Sequence, residues 1–230
     1  MASNKKFLLV DLSNYENLSE KGRRSINLFS IPIGLMSLAT FLKKNKIPME
    51  IKIISFGIDY NNDEELMEII RRYSPNFIGI RALSANEKIL VHIVDALKKL
   101  LPDIFIIIGG PYSSSPDEED FKKIAADIFI VGEGEETVLE LFKRLMKNES
   151  YDDIKGIVFK KGKKIIINEK REFIENFGKI PFPDYEMIDY EKYFKMANWG
   201  YMVNRYALIE SSRGCPYGCI FCHKIFGRAV

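Results

Sequence analysis

Two apolar rhythms alternate along this chain: short uninterrupted apolar runs, and longer stretches in which apolar side chains recur three and four residues apart. They mark buried strands and amphipathic helices respectively. Residues 7–10, followed by Asp11 and Leu12, predict a first strand, and the polar stretch 13–24 predicts a loop long enough to ask for a functional explanation. Pro32, Ile33 and Gly34 open a helix with Leu35, Leu38, Ala39 and Leu42 on one face and Lys43, Lys44 and Lys46 near its end, where cations suit the helix dipole. A second strand over 51–56 leads to a helix over 62–73, with Leu66, Ile69, Ile70 and Tyr73 inward, Asp63, Glu64 and Glu65 in its first turn, and Pro75 as its stop. Residues 77–80 give a third strand and 86–100 a third helix burying Ile89, Ile93, Leu97 and Leu100; His92, beside that face, reads as a surface or packing residue. The most apolar strand, 104–108, runs into Gly109, Gly110 and Pro111 and predicts a central place in a parallel sheet. A helix around 116–125, a strand over 128–131, the segment Gly132-Glu133-Gly134-Glu135 and a helix with Val138, Leu141, Phe142 and Leu145 complete the pattern.

Five strands alternating with helices predict an α/β domain over residues 1–150, a doubly wound, parallel five-stranded sheet. Ligands in such folds bind beyond the carboxyl ends of the strands, where every glycine-rich segment of this domain falls. Residues 156–159 and 164–167, separated by Lys160, Lys161, Gly162 and Lys163, predict a β-hairpin. Residues 177–193, with Pro181, Pro183 and several aromatics, predict an ordered bridge, so that 151–200 forms a hairpin and interdomain linker. Residues 207–210 predict a strand opening a further domain over 201–230.

Composition narrows the function classes. With 230 residues, 47% of them apolar, the chain can bury a substantial core. A formal charge of +2 gives no broad electrostatic reason to bind nucleic acid, and the lysines at 160–164 fit a solvated hairpin turn. No uncharged apolar span is long enough for a membrane helix, and the apolar run at 7–10 is too short for a signal peptide, so a cytoplasmic protein is expected.

The three cysteines lie together, in Ser211-Ser212-Arg213-Gly214-Cys215-Pro216-Tyr217-Gly218-Cys219-Ile220-Phe221-Cys222, at spacing C-x3-C-x2-C. Three clustered thiolates suit three irons of a [4Fe-4S] cluster, with the fourth iron left open to a small-molecule ligand. A zinc site using His223 and a set of inert thiols are the other readings; zinc ordinarily takes different spacings, and a histidine adjacent to Cys222 chelates awkwardly. Gly214, Pro216 and Gly218 supply tight turns and amides for sulfur, and Arg213 would either offset cluster charge or pair with Glu210. A nicotinamide site is disfavoured, because no G-x-G-x-x-G follows the first strand and Glu133 and Glu135 would repel a pyrophosphate.

The stretch SSRGCPYGCIFC resembles the cluster motif of the radical S-adenosylmethionine (SAM) superfamily, in the form found in its cobalamin-binding branch. The resemblance implies that Cys215, Cys219 and Cys222 hold a [4Fe-4S] cluster, that SAM chelates the open iron, and that Phe221 packs near the adenine. Leu83, Ser84 and Ala85 after the third strand, Gly109, Gly110 and Pro111 after the fourth, and Gly132, Glu133 and Gly134 after the fifth are similar to the loops that line cobalamin in that family. Asp11-Leu12-Ser13-Asn14-Tyr15-Glu16 departs from the D-x-H-x-x-G of other cobalamin proteins, which puts the lower cobalt ligand in doubt; Asn14 or Tyr15 would be the side chains to approach it. Tyr112 stands where many members have histidine, and packing is its expected role. The segment at 181–185 resembles the family's junction between cobalamin and radical domains, and residues 207–210 would then be the first strand of a partial (β/α) barrel.

The function so implied is C-methylation of an unactivated carbon in a small-molecule or natural-product substrate, through a 5′-deoxyadenosyl radical and methylcobalamin, with electrons from a donor such as flavodoxin or ferredoxin. The alternatives are a cobalamin-associated radical cyclase or oxidoreductase, and a corrinoid-binding module without catalysis. Because Val230 comes soon after Cys222, the chain is expected to be an incomplete enzyme with little or no turnover by itself.

Overall fold

The computed structural model describes residues 5–13, 31–114, 118–196 and 206–220. Residues 5–146 are built from alternating units: β1 (Lys5–Asp11), α1 (Ile33–Lys44), β2 (Met49–Ser55), α2 (Asp63–Tyr73), β3 (Phe77–Arg81), α3 (Glu87–Leu100), β4 (Phe105–Gly109), α4 (Glu118–Lys123), β5 (Ile128–Ile130) and α5 (Glu135–Met146). The hairpin β6 (Ile157–Lys161) and β7 (Lys164–Ile167) follows, then α6 (Tyr190–Met196). The order across the sheet is β2-β1-β3-β4-β5-β6-β7, with β1 to β5 parallel and the last two pairings antiparallel. β4 is central, as its unbroken apolar run requires.

Alternation along the strands sorts side chains into two cores. Leu8, Val10, Ile78, Ile80, Ile106 and Ile108 face α2, α3 and α4, whereas Phe7, Leu9, Ile53, Ile107 and Ile128 face α1 and α5. On the second face Phe142 of α5 meets Phe7 and Phe77 edge-on, with ring centroids 4.8 and 5.1 Å away. Gly79 lies between these strands because nothing larger fits: an added Cβ would stand 2.8 Å from both Leu9 Cδ2 and Phe7 Cζ.

The sheet is larger than the expected five strands. β6 pairs with the open edge of β5, Ile128 opposite Phe159 and Ile130 opposite Ile157, so the hairpin extends the same sheet. The physical reason is that β6 is apolar on both faces: Ile157 and Phe159 enter one core and Val158 the other, and the edge of β5 gains a partner for its backbone. The hairpin turn is also tighter than expected, with Lys161 paired to Lys164 across Gly162 and Lys163. Lys160 donates to the Ile124 carbonyl at 2.7 Å, just past the end of α4, and Lys161 meets Asp152 at 2.6 Å, which accounts for two of the clustered lysines.

The bridge is ordered and docked on the α1 face. Tyr193 is buried and donates to Ser55 Oγ at 2.7 Å, and Asp184 accepts from Lys43 at 2.9 Å while its amide donates to Thr40 Oγ1. Residues 207–210, expected as a barrel strand, form no strand in the structure. The Leu208 N–H donates to the Tyr185 hydroxyl at 2.7 Å and that hydroxyl donates to the Leu208 carbonyl at 2.8 Å. A tyrosine thus takes the backbone groups that a neighbouring strand would use.

Candidate functional site

The chain leaves β1 toward β2 on one side and returns to β3 on the other, so the helices after these strands lie on opposite faces. A crevice opens where the direction reverses, beyond the carboxyl ends of β1 and β3. Asp11, fully buried at the end of β1, accepts from Arg81 Nη1 at 3.0 Å at the end of β3. Ser13 donates its amide and its hydroxyl to the same Asp11 carboxylate, at 3.0 and 2.9 Å. This carboxylate braces the two strands that flank the crevice.

A cavity of about 270 Å³ lies between this end of the sheet and helices α1 and α5. Its walls are Phe7, Leu9, Ile107 and Ile130 from the strands, with Leu35, Leu38 and Val138 from the helices. Gly109, Gly110, Pro111, Gly132, Glu133 and Gly134 line it as well, so six of the residues singled out in the sequence meet at one site. A Cβ on Gly109 or Gly132 would meet no atom within 4 Å, so backbone faces open space there. Gly110 has φ +90°, and a Cβ would stand 3.0 Å from the Ala82 carbonyl; only glycine suits this turn. A pocket with apolar walls suits the flat dimethylbenzimidazole base of cobalamin's nucleotide tail, and a rim of bare backbone permits close approach of the macrocycle, so the residues present fit cobalamin.

Leu83, Ser84 and Ala85 follow β3 as expected but do not line the cavity. Ser84 and Ala85 are exposed in a single 3₁₀ turn, Ser84–Asn86, and the Leu83 amide donates to Asn86 Oδ1 at 3.1 Å. Asn14 lies outside the described residues, as do Tyr15, Phe221, Cys222 and His223. Cys215 and Cys219 are exposed free thiols, and among the described residues no group of three or more His, Cys, Asp or Glu could hold a metal ion. Tyr112 is buried, and burial, with Glu87 and Asp120 adding to it, pushes its phenol up to about 12. His92 stays on the surface and meets Asp63.

Arg213 is the residue whose place the sequence conceals most. Its side chain is only 8% exposed, and besides Glu210 it contacts Glu133 and Glu135 at the cavity mouth, at 3.2 and 2.6 Å. Burial alone would lower its pKa; hydrogen bonds to Glu135 and Glu210 outweigh that and hold it above the ordinary value. The two carboxylates that argued against a pyrophosphate therefore receive a guanidinium from the cysteine stretch. Gly79, Phe7, Leu9 and Leu38 were also missed as lining residues; an isolated glycine inside the apolar run 77–80 was the available signal, since it marks a close approach.

The B12 binding domain family matches residues 22–142, more than half of the chain. The chain belongs to the B12-binding domain family. The match covers the helices and glycine-rich loops that form the cavity, and relatives agree with the resemblance carried by the cysteine motif. "Uncharacterized methyltransferase PH0819" of Pyrococcus horikoshii is 26% identical over 87% of this chain and 42% of its own length. An "Anaerobic magnesium-protoporphyrin IX monomethyl ester cyclase" of Cereibacter sphaeroides is 24% identical over 72% of this chain and 27% of its own length. The solved structure of "Cobalamin-dependent S-adenosylmethionine radical enzyme OxsB with aqua-cobalamin and S-adenosylmethionine bound" superposes with a TM-score of 0.75 at 22% identity, over 98% of this chain and 29% of that one. The chain thus spans less than half the length of these relatives and shares the fold of the solved enzyme. Among its described residues no helix is long and apolar enough to cross a membrane.

Proposed function

We propose that the chain binds cobalamin in this cavity and, through Cys215, Cys219 and Cys222, a [4Fe-4S] cluster, as part of a radical SAM enzyme that methylates an unactivated carbon. The observation that carries this reading is the apolar, glycine-rimmed cavity at the reversal of strand order, with the cysteine stretch tied to its mouth by Arg213. Bound together, the two groups would supply one-electron cleavage of SAM and methyl donation from cobalt.

The chain's own part is placement. Phe7, Leu9, Leu38 and Val138 exclude water from the pocket, and Gly109, Gly110 and Gly132 let backbone approach the macrocycle. Asp11 and Arg81 hold β1 and β3 in register at the crevice. Ser13, standing where other cobalamin proteins carry the cobalt-ligating histidine, is engaged by Asp11, so the imidazole ligand has no equivalent at that position. Electrons would come from an external donor such as flavodoxin or ferredoxin, and the substrate would be a small molecule or natural product. The cyclase relative favours a second reading, a radical cyclisation without net methylation.

Anaerobic loading with hydroxocobalamin, iron and sulfide tests the cofactor pair: about one corrinoid and about four irons per chain are expected. Corrinoid without iron reduces the chain to a carrier, and zinc without corrinoid refutes the reading. For the reaction of the whole enzyme, SAM labelled in its methyl group separates the two outcomes, since methylation carries the label into product and cyclisation leaves product unlabelled.

A further inference from the structure

We propose that Arg213 is a positioning residue that fixes the cysteine stretch over the mouth of the cavity by clamping Glu133 and Glu135. The inference rests on the cobalamin reading for its consequence, but its geometry stands in the chain itself. Nη1 reaches Glu135 Oε2 at 3.1 Å and Nη2 reaches Glu135 Oε1 at 2.6 Å, a forked pair, while Nη1 also reaches Glu133 Oε1 at 3.2 Å. Nε donates to Glu210 Oε2 at 3.0 Å, and the guanidinium carbon lies 5.3 Å from the centre of the Phe177 ring.

The carboxylates are themselves held. Ser37 of α1 donates to Glu135 Oε1 at 3.0 Å, and the Ile174 amide donates to Glu133 Oε2 at 2.6 Å. One guanidinium therefore joins α1, the loop between β5 and α5, the segment after the hairpin, the bridge and the cysteine stretch. Glu133 and Glu135 line the cavity, and Arg213 stands two residues before Cys215. The starting point of the cysteine loop is thus set relative to the pocket wall, by contacts that reach 78 and 80 residues back along the chain.

A guanidinium used only to offset cluster charge would have no need of these partners; here Nε, Nη1 and Nη2 each point at a carboxylate. The planar fork is what lysine lacks, so charge alone would not reproduce the clamp. Breaking it leaves two carboxylates buried at the mouth without their cation, a costly arrangement that the loop relieves by moving away.

The test uses the whole chain with Cys215→Ser and Cys222→Ser, a nitroxide on Cys219, and cob(II)alamin bound. Pulsed electron paramagnetic resonance then reads the cobalt–nitroxide distance. The parent is expected to give one narrow distance peak, and Arg213→Met and Glu135→Gln to lose it in the corrinoid-bound fraction, with circular dichroism unchanged. Arg213→Lys keeps the buried charge and serves if Arg213→Met does not fold; it too is expected to lose the narrow peak. A peak that survives in the Arg213 variants overturns the clamp and leaves the cobalamin reading intact. Failure of the parent to retain corrinoid refutes the cobalamin reading, and with it the clamp's role at that pocket.

Discussion

Gly79→Ala is a one-carbon perturbation whose effect can be worked from the packing around β3. The new Cβ would stand 2.8 Å from Leu9 Cδ2 and 2.8 and 2.9 Å from Phe7 Cζ and Cε2. Neither neighbour has room to retreat into solvent, since both are 1% exposed, and Phe7 is held edge-on by Phe142. Overpacking of this kind costs about 1–3 kcal/mol. For a chain of this size each kcal/mol moves Tm by about 2–4 °C, so a fall of roughly 2–12 °C is expected. Phe7 and Leu9 also wall the cavity, and their easiest displacement is into it, so hydroxocobalamin affinity should fall in the same variant. Gly109→Ala provides the contrast, because its Cβ meets no atom within 4 Å: Tm should stay near wild type while corrinoid binding weakens. Thermal unfolding by circular dichroism and equilibrium dialysis with hydroxocobalamin measure the two effects. An unchanged Tm and unchanged affinity for Gly79→Ala would refute the packing argument and the placement of the pocket together.

Two further predictions concern how the later segments are held to the sheet. Tyr193→Phe removes the buried hydroxyl that donates to Ser55 and should cost about 1 kcal/mol, read as a lower denaturant midpoint; Tyr193→Ala, which also leaves a cavity, should cost about 3–5 kcal/mol and speed proteolysis of the bridge. Glu140 pairs with Arg171 and Arg144; burial alone would raise its carboxyl, but hydrogen bonds from the two arginines outweigh that and set it below the ordinary 4.5. A depressed folded-state pKa gives stability that is present above the unfolded value and lost as pH falls below it, so Tm should drop on acidification past about 4.5 and Glu140→Gln should drop less steeply over that interval.

Much of the fold is legible in local periodicity, because the two core faces select side chains at the spacing of strand or helix. All five β–α units appear in order, and Gly110 and Gly132, after β4 and β5, mark the crevice through positive-φ conformations that few other residues adopt. What local patterns do not carry is the identity of a distant partner. The hairpin's β6 reads as a strand, yet only the open edge of β5 makes it part of the same sheet. Residues 207–210 have strand-like composition but find the Tyr185 hydroxyl in place of a ladder. Arg213 has an obvious neighbour three residues away in Glu210, and its forked pairing with Glu135 and its contact with Glu133 depend on a chain path that spacing does not encode. Leu83, Ser84 and Ala85 stand at the right end of the right strand, and their turn carries them clear of the cavity.

Cobalt itself offers the most direct measurement, because its X-ray absorption edge identifies it against every other atom of the loaded protein. Anomalous diffraction from crystals grown with hydroxocobalamin should place a single cobalt beyond the carboxyl ends of β1, β3, β4 and β5, with the nucleotide tail of the corrinoid in the pocket walled by Phe7, Leu9 and Leu38 and the backbone of Gly109, Gly110 and Gly132 against the macrocycle. A cobalt bound elsewhere on the chain, or crystals of loaded protein with the pocket empty, would contradict the account.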